Sequence, residues 1–239
     1  MLFRSTHQIV SKQPLPGEAY ACKLDPKKEK LYISCWGCDQ VLIYDVQQQK
    51  ISGSISVGDN PNELLFNRSG SLLFVANAND NSVSVIDVAK SQVTEVLNTA
   101  LYPDAPIGSA PNGLTLSKNE KTLYVANADN NSLAVFDLSK PGSITARGFI
   151  PVGWYPTHVK CVGKKLFVTN GKGFTSMANP YGPNPLRKKE EVIYQKGDTT
   201  RAIDVQYIAG LFKGTMSVID EPDESTLKRY TSQIGRAHV

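Results

Sequence analysis

At 239 residues, with 41% hydrophobic and 20% charged side chains, the chain is long enough to bury a sizeable core as one all-β domain. Its net charge of +4 is spread along the sequence. There is no dense Lys/Arg stripe with interleaved aromatics, so the sequence does not suggest a nucleic-acid partner. No apolar run reaches membrane-spanning length, and residues 1–10 lack the apolar core and cleavage site of a secretory leader.

In chain order, residues 7–15 read first, as a strand that would close a preceding unit. A repeat then begins. Residues 72–88 (LLFVANANDNSVSVIDV) and 123–138 hold the same parts: an alternating apolar strand, a short turn dense in Asn and Asp, and a second apolar strand. Strand, polar turn, strand is a β-hairpin signal. Four units align on it, starting near Pro16, Pro61, Pro111 and Pro156. An aromatic falls on each second strand (Tyr32, Phe74, Tyr124, Phe167), and an Asp closes each third strand (Asp45, Asp87, Asp137, Asp220). The aromatic-to-Asp spacing is 13 residues in three units and 53 in the last, so the fourth unit carries a 40-residue insertion within 171–214. Fourth strands follow at 50–57, 92–97 and 143–152. Residues 221–231 read as a helix start, with Pro and acidic side chains in the first turn.

Units of about 40–50 residues and four strands are the arithmetic of a β-propeller blade. One four-stranded sheet cannot cover both its own faces, so such units stack. The expected fold is all-β, with about four four-stranded blades and both ends cut. Residues 234–239 (IGRAHV) are what a common sequencing adapter encodes in one frame, and they are set aside.

Tyr124-Val125-Ala126-Asn127, Phe167-Val168-Thr169-Asn170 and Phe74-Val75-Ala76-Asn77 resemble the YVTN propeller repeat. Tyr32-Ile33-Ser34-Cys35 departs at its last position. A narrower resemblance begins at Pro151-Val152-Gly153-Trp154-Tyr155-Pro156-Thr157. It continues through Asn170-Gly171-Lys172-Gly173, residues 179–186, 194–198 and 210–215. This string is similar to bacterial two-domain proteins in which a YVTN propeller precedes an alkaline-phosphatase-superfamily phosphoesterase domain. The resemblance implies a parent hydrolase, periplasmic or extracellular. Its nucleophile and divalent metal would lie in the downstream domain, so this chain would hold no catalytic residue, no cofactor and no metal. Its partners would be that domain and a protein or small ligand.

Several groups are candidates for chemistry. Cys35-Trp36-Gly37-Cys38 is a CxxC in a turn between strands, read as a plain turn or a local disulfide. Cys22 and Cys161, on first strands, read as core. The Asn/Asp turns lack the Gly and late Glu of a calcium loop and read as left-handed turn chemistry. Glu18, Glu63 and His158 sit two residues after their prolines, with Gly113 in the third unit. A channel-lining ring of Glu and His could hold a cation, as in propeller lactonases. Trp154, Tyr155, Tyr181 and Lys196 complete the candidate binding residues. The insertion, with seven basic and four acidic residues, is expected to pack on the downstream domain. Three functions follow: a non-catalytic propeller module of a phosphoesterase, a stand-alone binding propeller, and a lactonase-like propeller enzyme.

Overall fold

The computed structural model describes residues 12–140, 142–173 and 213–236. The first sheet holds β1 (Ala19–Leu24), β2 (Lys30–Cys35), β3 (Gln40–Asp45) and β4 (Lys50–Ser56). The second holds β5 (Pro61–Phe66), β6 (Leu72–Asn77), β7 (Ser82–Asp87) and β8 (Gln92–Asn98). The third holds β9 (Pro111–Leu116), β10 (Thr122–Asn127), β11 (Ser132–Asp137) and β12 (Thr145–Pro151). A fourth, with three strands, holds β13 (Trp154–Val162), β14 (Lys165–Gly173) and β15 (Thr215–Asp220), and a helix α1 (Glu224–Arg236) follows. Every sheet is antiparallel and runs in sequence order, the meander of a propeller blade. The chain divides into two compact units, 1–98 and 99–239, each with two sheets. No helix among the described residues is long and apolar enough to cross a membrane.

Burial follows strand position. In β6, β7, β10 and β11, the middle strands of their sheets, nearly every residue is buried. The outer strands β4 and β8 alternate instead, with one face to solvent. In the first unit Tyr32, Val41, Ile43, Leu64, Leu73 and Val75 form one core, and the Tyr32 and Phe66 rings meet edge-on at 5.2 Å. In the second unit Tyr124, Leu133, Val135, Ile150, Val159 and Leu166 form the other, joined by Leu227 from α1. Each such side chain contributes about 1.5–3 kcal/mol by leaving water.

The repeated polar residues have local tasks. Asp45 Oδ1 accepts hydrogen bonds from the backbone N–H of Gln47 and Gln48 at 2.9 and 2.7 Å. Asp87 takes one from Lys90 N and Asp137 one from Ser139 N, at 3.0 and 2.8 Å. These are Asx turns that stop the third strand. Hydrogen bonds from Lys90 and from Ser139 hold Asp87 and Asp137 below the usual carboxylate range. Asp39, Asn81 and Asn131 close the preceding turns with φ of 52°, 53° and 51°, the left-handed region that Asn and Asp tolerate.

The Asn that ends each second strand does more. Asn77 is fully buried, and its Nδ2 donates to Ser82 Oγ at 2.8 Å and Ser84 Oγ at 2.9 Å on β7. Asn170 repeats this with Thr215 and Ser217 on β15, at 3.3 and 3.0 Å. In the third sheet Ala134 stands where Ser84 would, and Asn127 Nδ2 donates instead to Thr99 O at 2.8 Å. The incoming chain lies directly on these amides. A Cβ at Gly58 would come 2.6 Å from Asn77 Nδ2, and one at Gly153 2.6 Å from Asn170 Nδ2. Only glycine fits there. Asn77→Ala is expected to cost about 1–3 kcal/mol, because buried hydroxyls lose their donor. A urea midpoint unchanged from the parent would contradict this role.

Helix α1 is tied to β12. Asp223 caps it, with Oδ1 accepting from Thr226 N at 2.8 Å and Ser225 Oγ at 3.0 Å. β12 bulges between Ala146 and Gly148. There Arg147 pairs with Glu224 at 2.7 Å, and Phe149 N donates to Thr231 Oγ1 at 2.9 Å. Gly148 has φ +143°, and the Thr231 hydroxyl occupies the space a Cβ would need. Tyr124 Oη donates to Glu221 Oε1 at 2.7 Å, and burial, then Glu221, pushes the phenol upward. Hydrogen bonds from Thr226 lower Asp223, and the Arg147 contact lowers Glu224. Folded-state values below unfolded ones mean that this stabilisation is complete above about pH 5 and lost as pH falls through the lowered values. Amide protection in α1 should therefore hold from neutrality to about pH 5 and fall below about pH 4. Protection that stayed flat to pH 2 would contradict it.

Candidate functional site

The ladders fix which first-strand positions are equivalent. Cys22 pairs with Ile33, Leu64 with Val75, Leu114 with Val125, and Val159 with Val168. One residue earlier stand Ala21, Glu63, Gly113 and His158. Glu63 and His158 therefore share a repeat position with Gly113, as the sequence indicates, but Glu18 does not. Ala19 faces the end of β2 as Pro61, Pro111 and Pro156 face the ends of theirs. Pro16 lies in the approach to the strand, three residues too early to serve as the repeat marker. Glu18 instead serves a turn: its backbone O accepts from Trp36 N at 2.6 Å, and its carboxylate lies over Gly37, where a Cβ would clash.

Within the first unit, Glu63 is half-buried on β5. A buried hydroxyl holds its neighbour: Ala21 N donates to Ser34 Oγ at 3.0 Å, and Ser34 Oγ donates to Asn62 O at 2.7 Å. Three strands are pinned by one serine. Within the second unit, His158 is exposed on β13, and β9 approaches it closely. A Cβ at Gly113 would stand 2.7 Å from His158 Cα and 3.0 Å from Val159 N. Among the described residues, no group of three or more His, Cys, Asp or Glu is placed to share a metal ion.

Trp154 and Tyr155 are half-buried where β13 and β14 extend beyond the other blades' ladders, with Trp154 opposite Gly173. Lys172 Nζ lies 4.0 Å from the Tyr155 ring centre and 5.5 Å from that of Trp154. Tyr155 has φ 61° and donates its N–H to Asn131 Oδ1 at 2.8 Å. Asn60 and Ala110, also just before the repeat proline, have φ 53° and 48°. The left-handed backbone is thus a property of the repeat. Tyr181, Lys196 and most of the insertion lie outside the described residues.

The CxxC is a disulfide, Cys35–Cys38, with Cα atoms 5.5 Å apart across a short 3-10 turn. Cys22 and Cys161 are free; Cys161 packs against the second unit's core as the sequence suggested, whereas Cys22 does not. Cys22 is exposed and Cys161 half-buried. β1 is exposed along almost its whole length, with Tyr20 and Leu24 at 59% and 42% exposure beside Cys22. Burial, then Glu221, raises the Cys161 thiol.

Sheets of this kind, in a four-stranded meander repeated along the chain, define a β-propeller. The family described as "Lactonase, 7-bladed beta-propeller" matches residues 11–174, and the chain belongs to it. Among solved structures, hydrazine synthase of Kuenenia stuttgartiensis is similar at 26% identity and TM-score 0.56, covering 72% of this chain and 46% of that one. The periplasmic gluconolactonase of Pseudomonas aeruginosa is similar in fold at 20% identity and TM-score 0.59, covering 66% and 48%. The chain thus spans less than half the length of either. No curated protein matches it.

The close approach of β9 to β13 gives a test of the first-strand position. The three atoms nearest a Cβ at Gly113 are all backbone atoms of His158 and Val159, which cannot swing aside. Gly113→Ala is expected to destabilise by about 1–3 kcal/mol. A thermal midpoint equal to the parent's would show that the two strands separate freely.

Proposed function

We propose that the protein acts as a lactonase-type propeller, binding a cyclic ester and opening it by hydrolysis. The family match over residues 11–174 is the observation that carries this reading. The likeness to a periplasmic gluconolactonase lends it the same direction and, with the Cys35–Cys38 disulfide, supports an exported protein. His158, exposed on β13 of the second unit, is the group assigned to proton transfer. Its imidazole accepts a proton from water as the water oxygen attacks the ester carbonyl carbon. The ring C–O bond then breaks, and the departing alkoxide takes a proton to give a hydroxy acid. Trp154 and Tyr155, at the start of the strand that carries His158, supply aromatic surface for the substrate ring.

The second reading is a non-catalytic module of a phosphoesterase, whose divalent metal and nucleophile belong to a downstream domain. The YVTN-like strands, the 151–157 string and helix α1 favour it. Hydrolysis separates the two. Acid release from a six-carbon sugar lactone by the 239-residue chain is expected to exceed the spontaneous rate. His158→Ala should lower it about 10²-fold without moving the thermal midpoint, since the side chain is exposed. A rate equal to the spontaneous one, with no lactone-dependent rise in midpoint, would overturn the hydrolase reading and leave the module.

A further inference from the structure

By the ladder, Cys35 ends β2 where Asn77 ends β6. Cys35 faces Gln40 as Asn77 faces Ser82, so Cys38 in the turn stands where the second blade has Asp80. In the second blade these positions form a polar lock: the Ser82 hydroxyl bonds both Asn77 Nδ2 and Asp80. The approaching chain rests on it. A Cβ at Gly58 would run into Asn77 and Asp80, and Asp59 N donates to Asp80 Oδ2 at 3.1 Å. In the first blade a Cβ at Gly17 would meet Cys35 Sγ at 3.2 Å and Cys38 Cβ at 3.5 Å. The hydroxyl partners are gone, because Gln40 and Leu42 stand where Ser82 and Ser84 do.

We infer that the Cys35–Cys38 disulfide is a covalent replacement for the Asn lock, making the first blade's turn a redox-controlled latch. The turn it closes holds two further segments. Trp36 N donates to Glu18 O at 2.6 Å, on the chain entering β1. Asn60 Nδ2 donates to Trp36 O at 2.9 Å, Asn60 N to Asp39 Oδ1 at 3.1 Å, and Val57 N to Asp39 O at 3.0 Å, on the crossover from β4 to β5. That crossover delivers Asn62 and Glu63. A dithiol reductant supplies the opening step. Its thiolate attacks Cys38 Sγ, the half-buried sulfur, because Cys35 is fully buried. The S–S bond breaks and Cys35 leaves as a thiolate that takes a proton. The reductant's second thiol then displaces Cys38, giving two protein thiols and an oxidised reductant, with two electrons transferred. Reduced Cys35 and Cys38 have no side-chain lock to fall back on, so the turn and the crossover loosen together.

Hydrogen exchange read by mass spectrometry on the full 239-residue chain, with and without a dithiol, tests the latch, with opening verified by alkylation of Cys35 and Cys38. Opening should speed exchange about tenfold or more across residues 36–39 and 57–60. The triple variant C35N/C38D/Q40S rebuilds the second blade's lock and keeps Cys22 and Cys161. Its exchange in those segments should not respond to the dithiol. The inference is overturned by alkylation of both cysteines without reductant, or by an opened bond with exchange at 57–60 unchanged. A triple variant that responds as the parent does also overturns it, since the effect would then run through Cys22 or Cys161.

Discussion

The structure depends on how each blade ends its second strand. A buried side-chain amide is costly unless its hydrogens are used. Here that cost fixes geometry. Asn77 and Asn170 reach across to hydroxyls on the third strand, so turn length and strand register are set by the same bonds. The approaching chain then lies against the amide through a glycine, Gly58 or Gly153, which admits nothing larger. One residue type thereby joins three segments: the second strand, the third strand and the crossover from the preceding blade. Where Ala134 removes a hydroxyl, Asn127 turns to the Thr99 carbonyl at the root of a longer crossover, and the join survives with a different acceptor. Where Cys35 replaces the amide, a disulfide takes over. The constraint is conserved in space while its chemistry varies.

Legibility in the sequence tracks how local each interaction is. The aromatic on the second strand and the Asp on the third were readable because both act within a few residues. Tyr32, Phe74 and Tyr124 fill the middle of a sheet, and Asp45, Asp87 and Asp137 cap the turn that follows. The Asn/Asp turns were readable for the same reason. Pro16 misled because a proline in an approach segment is tied to its strand only through loop length. The first approach sets Gly17 two residues before Ala19, whereas Gly58 stands three before Pro61. One alignable letter shifted a candidate, Glu18, out of register with Glu63 and His158. Cys22 misled because a period-2 pattern tells which residues share a face, but not whether that face is covered. The CxxC could be narrowed to a turn or a disulfide and no further, since two sulfurs three residues apart along the chain can adopt either state.

Helix α1 shows the same economy at the far edge of the third blade. An outer strand has one face and one edge to protect. β12 bulges at Arg147 and Gly148, and the helix fills the space the bulge creates. Thr231 Oγ1 enters where Gly148 has no side chain, Glu224 meets the displaced Arg147, and Leu227 completes the core under Ile150. None of these partners is near the others in sequence, so only the acidic start of the helix was visible beforehand. The helix is part of the second unit's core and not a free tether, since Leu227 is 1% exposed.

The first-strand position that precedes the shared apolar residue carries four different side chains, Ala21, Glu63, Gly113 and His158, on one backbone register. Everything that sets the register lies elsewhere: the aromatics, the capping aspartates, and the lock at the end of the second strand. Those residues are tied into a blade by their buried or turn contacts, whereas the first-strand position is freer, since His158 is exposed and Glu63 only half-buried. Its variation is still bounded by the neighbouring strand. Gly113 is held to glycine by the His158 backbone itself, so the presence of a histidine strand at that spacing dictates what its neighbour can carry. Within the second unit, the third and fourth sheets therefore do not present equivalent side chains at this position. The third blade's contribution there is a close-packed backbone that fixes where the histidine strand sits.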